Sequence, residues 1–345
     1  MESKAHHKFY VRVNGRGNAW PILIGDEHPH YDKRNAFDLA NASYSLIHYR
    51  SQIPSPENVL FKAVIDAGHG TVQNIIWKSN KTPDAIFITH PHIDHTLGLD
   101  WILQSAMKMK GKRLPVYASK PCWQATLQAY PQLAELAHYR EMLPGEYLQV
   151  SEDIRAMFIP VFHGLSALGA GMFLFELGVD QRKVLFTGDL LFPLMTRKVK
   201  QELLFPHLVF ADANNCFPYP DSNHWSMVSE DSQNYLQNFL DKASLSKLMS
   251  PHLNPNLSEA YFTYFDTLLT EPWEMGPYLS IFDFIQQVKP QKVCLMHYSG
   301  LEDRQYYQQE LLSMEELEQW ALERAENYTI YTDFRVPRVG DLINC

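Results

Sequence analysis

The sequence predicts an α/β fold built as a single domain over residues 1–345. Three observations predict it. Short apolar runs rich in Val, Ile and Phe recur along the chain, each closed by a polar residue and a turn, which is the pattern of buried strands. Amphipathic stretches of helical length separate several of these runs, and strands alternating with helices layer as α/β. The closing residues are repeatedly His and Asp, and in such folds ligands gather at the carboxyl ends of strands.

The runs follow in order. "FKAVIDAGHG" closes at Asp66, "DAIFITHPH" at His90, "RAMFIPVFHG" at His163, "KVLFTGD" at Asp189, "HLVFADAN" at Asp212 and "KVCLMHYSG" at His297. Helices are expected in "HTLGLDWILQSAMKM" and in "SEDSQNYLQNFLDKA", where Ser229 is the N-cap. A third is expected in "SMEELEQWALERA", where Ser313 and Glu316 form a capping box. From Pro251 to Val288 there is no Lys or Arg, and Tyr261, Phe262, Trp273 and Phe282 sit among Glu259, Asp266, Glu274 and Asp283. This stretch is expected to be an acidic, aromatic insertion at about 251–288, serving as a lid, a subunit contact, a cage for an apolar or cationic group, or a hairpin finishing the core.

Composition narrows the function classes. Apolar residues make up 46% of the chain and charged ones 20%, enough for a large core and too ordinary for wholesale disorder. The net charge of −9 opposes non-specific binding to a polyanion, so no long nucleic acid is expected as partner. Four cysteines without a CxxC pair read as reduced thiols. The first residues lack the apolar core of a signal peptide, and no apolar run is long enough to cross a bilayer. The expectation is a cytoplasmic chain with no membrane partner, in which a homodimer is allowed.

The segment His90-Pro91-His92-Ile93-Asp94-His95 carries the chemistry. Imidazole and carboxylate are good ligands for Zn, Mn or Fe. Residues 90, 92 and 94 alternate and can point to one side, while His95 turns toward a second point. Four ligands packed this closely suit two adjacent divalent ions, Zn first and Mn or Fe as alternatives. The strand ends supply the remainder: His163, Asp189 and His297, with Asp189 able to bridge two cations. A solvated His-rich loop is the plain alternative, and three matching strand ends weigh against it.

These residues carry a family resemblance. "THPHIDH" resembles the signature of the metallo-β-lactamase fold superfamily, and "DAGHG" the strand and turn before it. His163-Gly164 resembles the third ligand motif, "TGD" the bridging Asp and "MHYSG" the final His motif. The resemblance implies a four-layer αβ/βα sandwich with metals at one edge. It implies that His90, His92 and His163 hold one ion, that Asp94, His95 and His297 hold the other, and that Asp189 bridges them.

Within the family the chain resembles most the phosphodiesterase branch. His92 stands where flavodiiron-type members carry Glu, which disfavours redox chemistry. Antibiotic-hydrolysing members are secreted, and many use a Cys ligand. "VFADANNCFPYPDSNHWSM" and "GRGNAWP" resemble segments of ribonuclease Z, the cyclic ribose phosphate phosphodiesterase and the pyrroloquinoline-quinone biosynthesis B proteins. His224 maps to their additional active-site His, where it contacts a phosphoryl oxygen or protonates the leaving alkoxide; the alternative is a helix-entry residue without a catalytic part. No basic, Gly-rich arm of the ribonuclease Z kind is present, so a small substrate is expected. His69 is a candidate for the pocket rim or a plain turn residue. Asp66 and Asp212 read as carboxylates that orient ligating His.

The expected function is therefore a dinuclear metal-dependent hydrolase acting on a small phosphodiester. A metal-bridging hydroxide attacks phosphorus, Asp94 and Asp189 orient it, and His224 assists the leaving oxygen. The alternatives are an ester, thioester or lactone hydrolase using the same site, with Tyr298 offered for lactones, or a catalytically silent biosynthetic accessory protein.

Overall fold

The computed structural model describes residues 8–19, 24, 39–163, 167, 169–190, 192–213, 273–275, 281–298 and 313–345. The chain first lays down β1 (Lys8–Gly15), β2 (Ser43–Tyr49), β3 (Val59–Ile65), β4 (Ala85–Phe87), β5 (Leu114–Ala118) and β6 (Ala137–Glu141). Helices α1 (Thr71–Lys78), α2 (Ile93–Thr96), α3 (Leu99–Lys110), α4 (Lys120–Ala129) and α5 (Leu133–Leu136) lie between the later strands. With helical crossovers available, β3 to β6 pair in parallel, whereas β1, β2 and β3 pair antiparallel.

The second sheet follows: β7 (Tyr147–Ser151), β8 (Ile154–Phe162), β9 (Gly171–Leu177), β10 (Arg182–Phe186), β11 (Phe192–Thr196), β12 (Leu208–Asp212), β13 (Trp273–Met275), β14 (Lys292–Met296) and β15 (Asp333–Arg335). Among the described residues its order is β13-β11-β8-β9-β10-β12-β14-β15, with β7 paired to β8. Among the described residues three helices accompany it, α6 (Arg197–Glu202), α7 (Ile281–Val288) and α8 (Met314–Asn327). The last strand, β16 (Leu342–Asn344), returns to the first sheet beside β1.

Three apolar layers account for the stacking. Phe87 and Ile65 of the first sheet meet Phe158, Phe173, Phe175, Phe186 and Phe210 of the second. Outside the first sheet, Val64, Ile86 and Val116 pack on Ile75, Leu103 and Trp123 of α1, α3 and α4. Outside the second, Leu174, Leu185 and Val209 pack on Phe282, Ile285 and Leu317 of α7 and α8. Helix, sheet, sheet, helix is the four-layer αβ/βα sandwich expected from the sequence. Strand β9 shows why the runs read as continuous: Met172 and Leu174 face one layer, Phe173 and Phe175 the other, and all are buried.

The helices expected at α3 and α8 form, the latter with the Ser313–Glu316 capping box in both directions. The expected helix at Ser229 lies outside the described residues. Of the stretch expected as an insertion at about 251–288, the structure describes 273–275 and 281–288. Ile281, Phe282, Phe284, Ile285 and Val288 repeat at helical spacing and are buried, so α7 completes the core. Residues 273–275 extend the second sheet as β13, and 251–272 lie outside the described residues. Among the described residues no helix is long and apolar enough to cross a membrane.

Candidate metal centre

The seven residues expected as ligands converge at one edge of the sandwich, where the carboxyl ends of β4, β8, β10 and β14 meet. Two groups form. His90, His92, His163 and Asp189 are one, and Asp94, His95, Asp189 and His297 the other; within each, the candidate ligand atoms lie within 4.8 Å of one another. Six of the seven are buried, and His92 is half-buried.

Asp189 divides its two oxygens between the groups. Oδ2 lies 3.5 Å from His90 Nε2 and 3.3 Å from His163 Nε2. Oδ1 lies 3.2 Å from His95 Nε2 and 3.5 Å from His297 Nε2. Asp94 Oδ2 faces the second group only, 3.2 Å from His95 Nε2 and 3.4 Å from His297 Nε2. His90 Nε2 and His92 Nδ1 stand 3.1 Å apart.

These spacings fit metal ions. Donors held about 2.0–2.1 Å from a tetrahedral ion stand about 3.3 Å from one another, which matches the contacts on both sides of Asp189. His95 Nε2 and Asp189 Oδ1 are buried and make no hydrogen bond. Facing each other 3.2 Å apart, they are satisfied either by a proton on His95 or by a cation between them.

Two of the imidazoles are aimed from behind by carboxylates. Asp66, at the end of β3, accepts from Thr89 N at 2.8 Å through Oδ1 and from the Thr89 hydroxyl at 2.7 Å through Oδ2. The same Oδ2 lies 2.8 Å from His95 Nδ1. Asp212, at the end of β12, places Oδ1 3.2 Å from His297 Nδ1 and accepts from Leu190 N through Oδ2 at 3.0 Å. With Nδ1 so engaged, each ring turns Nε2 to the centre, the usual carboxylate–histidine arrangement behind a metal. Both carboxylates thus lie against the imidazoles they are expected to orient.

The backbone is bent to suit. Asp66 and His297 take left-handed φ of 55° and 61°, costing of order 1–3 kcal/mol each. The His297 amide is secured by the Arg16 carbonyl at 2.9 Å. Gly68 lets the two loops touch, since a Cβ there would lie 1.7 Å from the Asp94 carbonyl oxygen.

Protonation differs between the groups. Burial, with His95 beside it, holds His90 well below the ordinary imidazole range. Burial and His163 bring His92 down to about 4. Burial opposes charge on His95 as well, but Asp94, Asp189 and Asp66 outweigh it and raise its pKa. For His297, Asp189 and Asp212 overcome burial and raise it to about 10. Asp94 and Asp189 are buried, yet facing imidazoles keep both well below the carboxylate range.

Other expected residues fall elsewhere. His69 is exposed on a turn, with its amide donating to Asn41 Oδ1 at 2.7 Å. Tyr298 is buried, and Arg16 donates to its hydroxyl, so that hydroxyl is turned to Arg16. His224 lies outside the described residues. Sequence reasoning missed Thr89, which braces Asp66 from within the metal loop, and Arg16; the "GRG" stretch was the only local sign of the latter.

Residues 61–247 match the profile of the Metallo-beta-lactamase superfamily. The chain belongs to that superfamily. Among curated superfamily relatives, Ribonuclease Z of Methanopyrus kandleri is 29% identical over 106 residues, covering 30% of this chain and 37% of the relative. Endoribonuclease YSH1 of Candida albicans is 23% identical over 169 residues, 43% of this chain and 19% of that one. The chain thus spans well under half the length of either. Among solved structures, the metallo-beta-lactamase fold protein YhfI of Bacillus subtilis superposes with a TM-score of 0.57 at 11% identity, covering 98% of this chain and all of that one. A diphosphatase of the PhnP family gives 0.56 at 14%, covering 97% of each chain. Zn(2+)-bound PqqB of Methylobacterium extorquens gives 0.53 at 9%, covering 97% and 100%. At these identities the structures show the shared fold.

Proposed function

We propose that this superfamily member is a metal-dependent hydrolase holding two divalent ions, Zn first and Mn or Fe as alternatives, and that its substrate is a small phosphodiester. The observation that carries the reading is the Asp189 carboxylate, whose oxygens face two complete ligand groups, Oδ2 one and Oδ1 the other. Two curated relatives bearing ribonuclease names, and a diphosphatase among the structural neighbours, support phosphorus chemistry.

When bound, such ions polarise a phosphoryl oxygen and bring the pKa of a bound water toward about 7. The chain's own residues do the rest. Asp94 and Asp189 orient the attacking water. Asp66 and Asp212 hold His95 and His297 in place, and burial of the cluster keeps these charges effective. His224 donates a proton to the leaving oxygen. The acidic balance of the chain favours a small substrate over a long polyanion.

The test is metal analysis of the purified protein, followed by turnover of a generic aryl phosphodiester beside a lactone and a thioester. About two ions per chain with phosphodiester turnover supports the reading. Lactone or thioester turnover alone overturns the substrate class, and no ion after reconstitution with Zn or Mn overturns the whole.

A further inference from the structure

On the outer face of the first helical layer, large apolar side chains lie open to solvent: Ile76 on α1, Ile93 on α2, Leu97 just beyond it, and Trp101 and Met109 on α3. Single exposed apolar residues need no explanation, but contiguous ones do. Within α3, Trp101, Ser105 and Met109 recur every fourth position and so lie toward one side of the helix. Ile76, Trp101 and Met109 also line one groove of about 490 Å³ between α1 and α3. Trp101 is 58% exposed and Met109 78%, with the small Ser105 between them.

The charges around this stripe are bipolar. Asp100 lies in the first turn of α3, and exposed Glu135 of the adjoining α5 lies toward the same end, where Gln132 reaches Asp100. Lys108 lies in the last turn, followed by exposed Lys112 and Arg113, while Lys110 beside it is paired with Asp84 at 2.8 Å. A lipid surface would call for one sign of charge throughout. A face acidic at one end and basic at the other complements itself when a copy is turned end for end.

We propose that this face is the contact between two copies of the chain, with α3 packed antiparallel on α3 about a two-fold axis near Ser105. That packing sets Trp101 of each copy against Met109 of the other, over the grooves beside α1. It brings Asp100 toward the other copy's Lys108. The helix dipoles run opposed, which is favourable. Ser105 lets the helices approach, its hydroxyl already satisfied by the Trp101 carbonyl at 2.7 Å. The proposal is independent of what the metal centre hydrolyses.

Sedimentation velocity on the full chain at micromolar concentration tests it. The parent protein is expected as a dimer. Trp101→Glu and Met109→Glu are each expected as folded monomers, with unchanged circular dichroism, because both positions are exposed. Asp100→Lys should weaken the dimer at least tenfold by setting like charges opposite one another, and Asp100→Lys with Lys108→Glu should restore it. A parent monomer, or a dimer that survives Trp101→Glu, overturns the proposal. Failure of the double variant to recover overturns the antiparallel packing. A monomer that co-sediments with phosphatidylserine-containing vesicles, and loses this with Trp101→Glu, would assign the face to lipid instead.

Discussion

The ring of His95 is held by a carboxylate from a different strand: Asp66 Oδ2 lies 2.8 Å from His95 Nδ1, and the same oxygen takes the Thr89 hydroxyl at 2.7 Å. Asp66→Asn keeps an acceptor for Thr89 and replaces a charge behind His95 with a neutral dipole. Affinity for the ion of the Asp94–His95–His297 group is expected to fall by about 10–100-fold while the chain stays folded. A competition titration against a chromophoric chelator reads this directly. Unchanged affinity would remove Asp66 from the metal-positioning role.

Asp189 serves both groups and His163 only one. Asp189→Ala is therefore expected to abolish activity and reduce occupancy of both ions, whereas His163→Ala chiefly empties one. Elemental analysis of the two variants side by side distinguishes them. Identical metal loss would deprive Asp189 of its bridging assignment.

The two groups are expected to respond differently to pH. His92, brought down to about 4 by burial and His163, is neutral at neutral pH, as is His90. An ion entering that group displaces no proton from His90 or His92, so those two rings add no pH dependence to its affinity well above 4. His297, raised to about 10 chiefly by Asp189 against the pull of burial, is protonated at neutral pH, and an ion must displace that proton. Affinity of the second group should rise with pH from neutral toward about 10. Calorimetry in buffers of different ionisation enthalpy counts the protons released. Equal release from both groups would contradict this division.

Lys62 bears on stability away from the centre. Its ammonium is buried on β3, donating to Ser79 Oγ at 2.8 Å and to the Lys81 carbonyl at 2.9 Å, and burial lowers its pKa to about 7. An unfolded Lys titrates near about 10.4. Between those values the unfolded chain binds more protons than the folded one, so stability rises with pH from about 7 to about 10. Lys62→Met is expected to flatten that rise and to raise stability most below pH 7. Urea unfolding at pH 6 and pH 9 checks both, and a variant with the parent's slope would refute the account.

His224→Ala is expected to keep both ions and the fold while turnover falls by roughly 10²–10⁴-fold, the usual worth of general acid catalysis. The loss should be smaller on an aryl phosphodiester than on an alkyl one, because an activated leaving group needs little protonation. Equal loss on both would indicate phosphoryl contact instead, and no loss would make His224 structural.

Much of this architecture was legible because strand ends are punctuated. The runs closing at Asp66, His90, His163, Asp189, Asp212 and His297 are the ends of β3, β4, β8, β10, β12 and β14 or the turns just after them. Pairing was less legible. Nothing local links Arg16 to Tyr298 across 282 positions, because contacts between chain ends leave no periodic trace. Over 251–288 the lack of Lys and Arg leaves a lid, a contact, a cage and a hairpin finishing the core all open, and 281, 282, 284, 285 and 288, which carry the spacing of one buried helical face, agree with the last of these.

Because each ligand group takes members from both sheets, the order of synthesis matters. His90, His92, Asp94 and His95 leave the ribosome together on one loop, but neither group is complete without Asp189, and the second also needs His297, which follows β14 near the end of the chain. A half-made chain holds a cluster of imidazoles and no finished cage. Neither ligand group can therefore be assembled until both sheets exist and have docked.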